Sequence, residues 1–338
     1  MNPLINRQVR LRSRPSGIPQ AEHFEIVEVS VGTPGPGQVL VRNLWLSVEP
    51  AMRGCVNAVG NYAEPVAVGA VMRSFACGRV VASNDPAWPV GVAVTGLFGW
   101  QDFALVEGTA IQRRIEDDGL PMSSALGVMG INGVTAHYGL LQLGQPRAGE
   151  TVVVSTAAGA VGSCVGQIAR LQGCRTVGIA GGRVKRALCT ERFGFDAAVD
   201  YKAVDFEEQL ARACSGGVDV YYDNTAGAIS DAVMAHLNVG ARIVICGTAS
   251  VANWDPPPRG PRVERHLLTK RARMQGFVIF DHPEYASVAR VDLAKWLRDG
   301  SLRYIEEVLD GIENAPDAIA GLYRGENLGK RLIRLVPD

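Results

Sequence analysis

Nowhere in this sequence do two cysteines stand two or three residues apart, and its five histidines (His23, His137, His236, His266 and His282) are isolated from one another. A structural zinc lobe needs closely spaced thiols, and a catalytic zinc needs Cys or Asp, His and a further Cys or carboxylate converging on one ion. Zinc catalysis is therefore not expected, and no metal site is assigned. The GxSxG elbow that carries the nucleophile of many hydrolases is also missing. No segment approaches the roughly 20 consecutive apolar residues of a membrane span, and the opening stretch MNPLINRQVRLRSRPSG lacks the apolar core of a signal peptide. The expectation is a cytoplasmic protein with no membrane partner. Neither sign of charge is in excess, since 34 Lys and Arg balance 34 Asp and Glu. Nothing in that balance would draw in nucleic acid. The seven cysteines are odd in number, scattered and mostly set in apolar runs, which predicts reduced thiols rather than a disulfide framework.

What is present is enough for two domains, because 338 residues exceed one ordinary core. From about residue 5 to 125, short apolar runs are punctuated by Gly and Pro, as in EIVEVSV, TPGPG and QVLVRNLWLSV. That punctuation predicts a mostly β domain. The segment 123–143 changes to a helical pattern and carries the chain into a second domain. There, strand-like runs at 151–157, 175–180, 197–201, 218–223, 241–247 and 274–280 alternate with helical stretches. Alternation of this kind requires crossovers, and hence a parallel sheet covered on both faces. Six units fit a doubly wound dinucleotide fold. An amphipathic helix over 284–300 follows, and the strand-like KRLIRLV (330–336) is expected to return to the first domain.

The loop Ala157-Ala158-Gly159-Ala160-Val161-Gly162 occupies the frame of a GxGxxG fingerprint, with alanine at the first glycine. It follows an apolar strand and opens the helix SCVGQIARLQ. Gly159 would let the backbone approach a pyrophosphate, Gly162 would allow close helix-to-strand packing, and the amides around Ala160 and Val161 would face the phosphates. The second strand ends on Ala180-Gly181-Gly182, where an NAD site usually carries an acidic residue. Arg183, Lys185 and Arg186 follow at once and could attract a 2′-phosphate. NADP is the cofactor expected. Asp281-His282-Pro283 lies past the last strand, where it is either a turn or a place for a catalytic histidine.

Assembled in order, the stretches LSVEPAMRG (46–54), GVTAHYGLL (133–141), TAAGAVGSCVGQIARLQGCR (156–175), GFDAAVDYK (194–202), DVYYDNTAG (219–227), ARIVICG (241–247), GFVIF (276–280) and GENLGK (325–330) resemble the zinc-free medium-chain dehydrogenase/reductases. Within them they are similar to the prostaglandin and leukotriene reductases and the curcumin and alkenal double-bond reductases. The resemblance implies an α/β protein. A GroES-like, mostly β catalytic domain would span 1–127, completed by about 301–338, with a Rossmann NADP-binding domain over 128–300. It implies reduction of a carbon–carbon double bond conjugated to a carbonyl, and a homodimer. Lys185 and Tyr201 match the family's 2′-phosphate contacts. Asn224, Cys246, Phe277, Ile279 and Asn327 match positions lining the nicotinamide and its ribose, and Thr135 matches the threonine beside the carboxamide. Cys246 needs no reactivity for this role.

The pattern departs from the family at the substrate. Ala51 and Ala252 stand where tyrosines are usual, which widens the expected pocket, since a buried tyrosine covers at least about 150 Å². Tyr62 aligns with a third tyrosine and is the remaining candidate proton donor, with solvent as the alternative. Asn132 replaces a usual proline and either hydrogen-bonds the substrate carbonyl or caps a helix. Three functions stay open on the sequence: an enone or enal reductase for a relatively bulky substrate, a quinone reductase, and a non-catalytic NADP-binding sensor.

Overall fold

A computed structural model describes residues 4–58, 63–117, 119–251, 256 and 258–336. The chain opens with β1 (Ile5–Leu11) and β2 (Phe24–Ser30), paired antiparallel, then β3 (Gln38–Ser47), the single turn α1 (Met52–Cys55), β4 (Ala76–Ser83), β5 (Ala93–Gly96), β6 (Phe103–Glu107) and β7 (Ile111–Arg114). Next come α2 (Ile131–Tyr138), β8 (Thr151–Ser155), α3 (Ala160–Leu171), β9 (Arg175–Ala180), α4 (Gly182–Ala187) and β10 (Ala197–Asp200). They are followed by α5 (Phe206–Ala213), β11 (Val218–Asp223), α6 (Gly227–Met234), β12 (Leu237–Ile245), α7 (Glu264–Lys270), β13 (Arg273–Gly276) and α8 (Tyr285–Arg298). The last elements are β14 (Glu306–Asp310), α9 (Ala315–Arg324) and β15 (Lys330–Arg334). Two compact units result: residues 1–127 with 306–338, and residues 128–305.

The first unit is the GroES-like, mostly β part. Seven strands form one sheet in the order β14-β15-β3-β4-β5-β7, with β6 also on β3. One edge of β3 is shared between two partners, β6 along Gln38–Arg42 and β15 along Trp45–Ser47. The returning strand expected at 330–336 is therefore present, and its register is pinned by a buried lysine. Lys330 Nζ donates to Ser47 Oγ (2.6 Å), the Val48 carbonyl (3.0 Å) and Glu49 Oε1 (2.7 Å). An ammonium has three protons and all three are used, which offsets the cost of taking the charge out of water. Inward-facing Val39, Val41, Leu46, Val80, Val94, Phe98, Trp100 and Ile333 make the core of this unit.

The second unit is the Rossmann part. Six strands run parallel in the order β10-β9-β8-β11-β12-β13. All five residues of β8 (TVVVS) are buried, as a strand covered on both faces requires. Closeness of helix to sheet is set by glycine: a Cβ at Gly166 of α3 would collide with the ring of Phe195. No helix among the described residues is long and apolar enough to cross a membrane. None of the seven cysteines forms a disulfide, and six of them are buried.

On α2, His137 is buried between elements of this unit, with Nδ1 2.9 Å from Tyr285 Oη and Nε2 3.1 Å from Asp292 Oδ2 on α8. Burial lowers its pKa from the ordinary 6.5, against the opposing pull of Asp292. Below about pH 6.5 the unfolded chain takes up a proton that the folded chain resists. Stability is thus fully present above that pH and is lost as pH falls toward the folded pKa, by at most about 1.4 kcal/mol per pH unit for one proton. Thermal unfolding followed from pH 7.5 to 5.5 is expected to show a shallower decline in His137→Gln than in the parent. Equal slopes would exclude this histidine as the source.

Candidate active site

Beyond Ser155, the end of β8, the chain turns through Thr156 at φ +49°, a region that β-branched residues rarely adopt. The turn closes when the Gly159 amide donates to the Thr156 carbonyl at 2.8 Å. Gly159 is then the N-cap of α3, and Ala160, Val161 and Gly162 form its first turn, with no side-chain cap and no acidic residue there. A Cβ on Gly162 would collide with the Thr156 carbonyl oxygen, so only glycine lets the helix start so close to the strand. The first amides of a helix have no acceptor within it, and they sit at the positive end of its dipole. An uncapped, acid-free start to a twelve-residue helix fits a diphosphate.

The next strand exit builds a second corner. Gly182 has φ +82°, and the Tyr201 ring lies so close over Gly181 that a Cβ there would be 2.9 Å from Cε1. Lys185 and Arg186 occupy the last turn of α4. A carboxylate does reach this corner, from the end of β10 rather than β9. Asp200 Oδ1 accepts the Gly182 and Lys202 amides at 3.0 Å each, and Oδ2 lies 3.9 Å from Arg186 Nε. Its lone pairs are directed at two backbone amides, with the Arg186 guanidinium beside it.

At the end of β11, Asp223 is fully buried and accepts from six donors. Oδ1 takes Ser155 Oγ (3.3 Å), Tyr221 Oη (3.0 Å), the Thr225 and Ala226 amides (2.9 Å each) and Thr225 Oγ1 (3.1 Å), while Oδ2 takes Ser230 Oγ (2.6 Å). Asn224 is drawn to the neighbouring strand: its amide donates to Ser155 Oγ and its Nδ2 to the Ser155 carbonyl, both at 2.8 Å. Cys246, just past β12, donates its backbone N–H to the Asp223 carbonyl at 2.8 Å. Burial pushes its thiol up to about 12, so it is a poor nucleophile at neutral pH. Thr135 on α2 accepts the Tyr222 hydroxyl on its carbonyl oxygen at 2.9 Å.

The structure thus gathers Gly159, Ala160, Val161 and Gly162 at one turn, and Gly182, Lys185 and Tyr201 at the next strand exits. Asn224 and Cys246 meet around Asp223, and Thr135 meets β11. Phe277 and Ile279 follow β13, with Ile279 opening the turn Ile279–Asp281. In the first unit, Ala51 is the exposed residue before α1, and Asn327 Nδ2 donates to the Gly329 carbonyl at 3.0 Å. Tyr62 and Ala252 lie outside the described residues. Asn132 is not a cap, because Gly130 holds that position in α2 and Asn132 is buried within the first turn. His282 closes the turn after Ile279 and bonds Tyr138 Oη through Nε2 at 2.8 Å. Asp223 and Tyr222 carry no motif that would have singled them out. Among the described residues no three His, Cys, Asp or Glu side chains stand together as a metal would need.

Two family descriptions match the chain, "N-terminal domain of oxidoreductase" over residues 7–113 and "Zinc-binding dehydrogenase" over residues 160–293. The chain is 44% identical to the NADPH-dependent curcumin reductase of Escherichia coli, covering 98% of each chain. It is 36% identical to the NADP(+)-dependent 2-alkenal reductase of Nicotiana tabacum, over 97% of each. The crystal structure of CurA in complex with NADPH from Vibrio vulnificus superposes with a TM-score of 0.93 at 44% identity, covering 98% of this chain and 100% of that one.

One residue of the site is strained. Ala226 has φ +59° and ψ −165°, a region that is essentially glycine-only and costs about 1–3 kcal/mol. Ala226→Gly is expected to raise stability by roughly 1 kcal/mol, the relieved strain exceeding the entropy glycine adds to the unfolded chain. Urea unfolding with an unchanged or lower midpoint would show that the Asp223 bonds hold this residue without strain.

Proposed function

The chain belongs to the zinc-free medium-chain dehydrogenase/reductase family, and from that premise we propose that it reduces carbon–carbon double bonds conjugated to a carbonyl, using NADPH. The observation that carries the reading is the pair of adjoining corners in the second unit. One offers an uncapped, acid-free helix start for a diphosphate. The other offers Gly182, Lys185 and Tyr201, with its one carboxylate turned onto backbone amides. The similarity to curcumin and alkenal reductases over almost the whole chain supports the substrate class.

When bound, NADPH supplies the hydride for the β-carbon. The chain's own residues do the rest. Gly159, Ala160, Val161 and Gly162 receive the diphosphate, and Gly182, Lys185 and Tyr201 receive the 2′-phosphate. Asn224, Cys246, Phe277, Ile279 and Asn327 line the nicotinamide and its ribose, and Thr135 stands beside the carboxamide. The proton that completes the reduction goes to the α-carbon or the oxygen. Tyr62 donates it in this reading, with solvent as the competing source, since a phenol can give a proton without prior ionisation. Ala51, Ala252 and Asn132 bound a substrate space wider than a tyrosine-lined one, which suits substrates bulkier than simple alkenals. We further assign a cytoplasmic homodimer. Seven thiols that form no disulfide suit a reducing compartment, and among the described residues β13 is an end strand of the parallel sheet, an edge for a second copy to pair on. A monomeric mass by light scattering would remove the dimer.

Oxidation of NADPH against enones, enals and quinones graded by bulk tests the function. Deuterium from NADPD is expected at the β-carbon of a bulky enone. Exclusive turnover of quinones would make the protein a quinone reductase, and NADPH binding without any turnover would make it a sensor. Two substitutions divide the assignment. Lys185→Ala should weaken NADPH by about tenfold, the worth of one lost charge-assisted bond, while leaving NADH unaffected. Tyr62→Phe should lower kcat with NADPH affinity intact, and unchanged turnover would assign the proton to solvent.

A further inference from the structure

We infer that Tyr222, a residue that no reacting atom needs to touch, positions the nicotinamide wall by fixing α2, and with it Thr135, against the segments that follow β12 and β13. The inference rests on the reading above that Thr135, Cys246 and Phe277 line the nicotinamide.

Side chains alternate along β11. Tyr221 packs with Leu210, Val233 and Leu237 of the second unit's core, and Tyr222 turns to the opposite face, toward α2. Neither ring has exposed surface. Phenylalanine would fill the same space at position 222, so the hydroxyl is a polar group taken out of water, which is unfavourable unless it is bonded. It donates to the Thr135 carbonyl oxygen at 2.9 Å. That oxygen also accepts the Gly139 amide at the end of α2, so two donors from separate elements converge on it. A phenol has one proton to give, here to Thr135, and the Cys246 thiol faces the same hydroxyl. Burial holds the phenol well above its ordinary range, which keeps its proton in place for Thr135.

Gly139 closes the other side. A Cβ there would lie 2.6 Å from Tyr222 Oη and 2.8 Å from Phe277 Cζ. Gly139 also begins a π-helical stretch, Gly139–Gly144, a widened turn of the kind found at functional sites. Thr135, Cys246 and Phe277 are each half-buried, and behind them stands one wholly buried hydroxyl. Two segments remote in sequence are thus referenced to a single oxygen atom, and Phe277 of a third packs beside it across Gly139. A helix that cannot rotate or slide presents Thr135 in one direction, and reaction rates are sensitive to misplacements of an ångström or less.

The test is Tyr222→Phe in the full-length protein, compared with Thr135→Ala and the double variant. Tyr222→Phe should fold with NADPH affinity by fluorescence titration changed less than about threefold, because the adenosine half is held elsewhere, while kcat falls about tenfold. The primary isotope effect with NADPD should rise, and the emission of bound NADPH should shift toward that of the free cofactor. In the Thr135→Ala background the same change should have little further effect, as residues acting through one another are non-additive. A merely structural tyrosine would lower Tm, leave the isotope effect and emission alone, and add its loss to that of Thr135→Ala. That outcome overturns the inference while the function stands. A parent protein that binds no NADPH overturns both.

Discussion

A carboxylate that no ion pair reaches among the described residues holds the cofactor-side loops in place. Asp223 is enclosed, and its six hydrogen bonds come from hydroxyls and backbone amides. Each donor left without it would lose about 1–3 kcal/mol, so the loop that follows β11 has little freedom to rearrange. Through Ser155 the same group reaches the end of β8, where the glycine turn begins. Through its own backbone carbonyl it takes the Cys246 and Gly247 amides at the end of β12. Three central strands therefore share one anchor at the edge where a dinucleotide fold binds its ligand. The strained Ala226 is affordable only because two of those bonds flank it.

Much of this was legible in the sequence because the signals were local. Six apolar runs separated by helical stretches gave the parallel sheet, and a glycine frame between strand and helix gave the turn. The pattern KRLIRLV (330–336) gave the returning strand. What stayed hidden depends on contacts between residues far apart. DVYYDNTAG (219–227) reads as a strand and a loop, and nothing in it says that Asp223 faces inward or that Tyr222 and Tyr221 serve opposite faces. Asp200 lies outside the position where an NAD-type carboxylate is sought, so its approach to Gly182 could not be read either. β12 begins at Leu237, earlier than the apolar run at 241–247 suggested, because the polar Asn238 is held by Asp219 and the Gly216 carbonyl. Asn132 looked like a cap from its residue type alone, but backbone geometry places the cap at Gly130.

The two units secure position by different means. In the second unit, position is secured by buried hydroxyls and amides that converge on Asp223 and on Thr135. In the first, the segment leading to Ala51 is secured by a charge, the Lys330 ammonium bonded to Ser47, Val48 and Glu49. Ala51 lies two residues beyond Glu49, so the lysine fixes the path of the backbone that leads to it.

The shared edge of β3 has a consequence for how the protein is made. Half of that edge pairs with β6, but the other half waits for β15, which is translated after the whole of residues 128–305. At ribosomal speeds that interval is on the order of ten to forty seconds. Throughout it the nascent chain carries one open strand edge at Trp45–Ser47, a template for pairing with the wrong chain. The first unit is thus completed only when its last strand has been made.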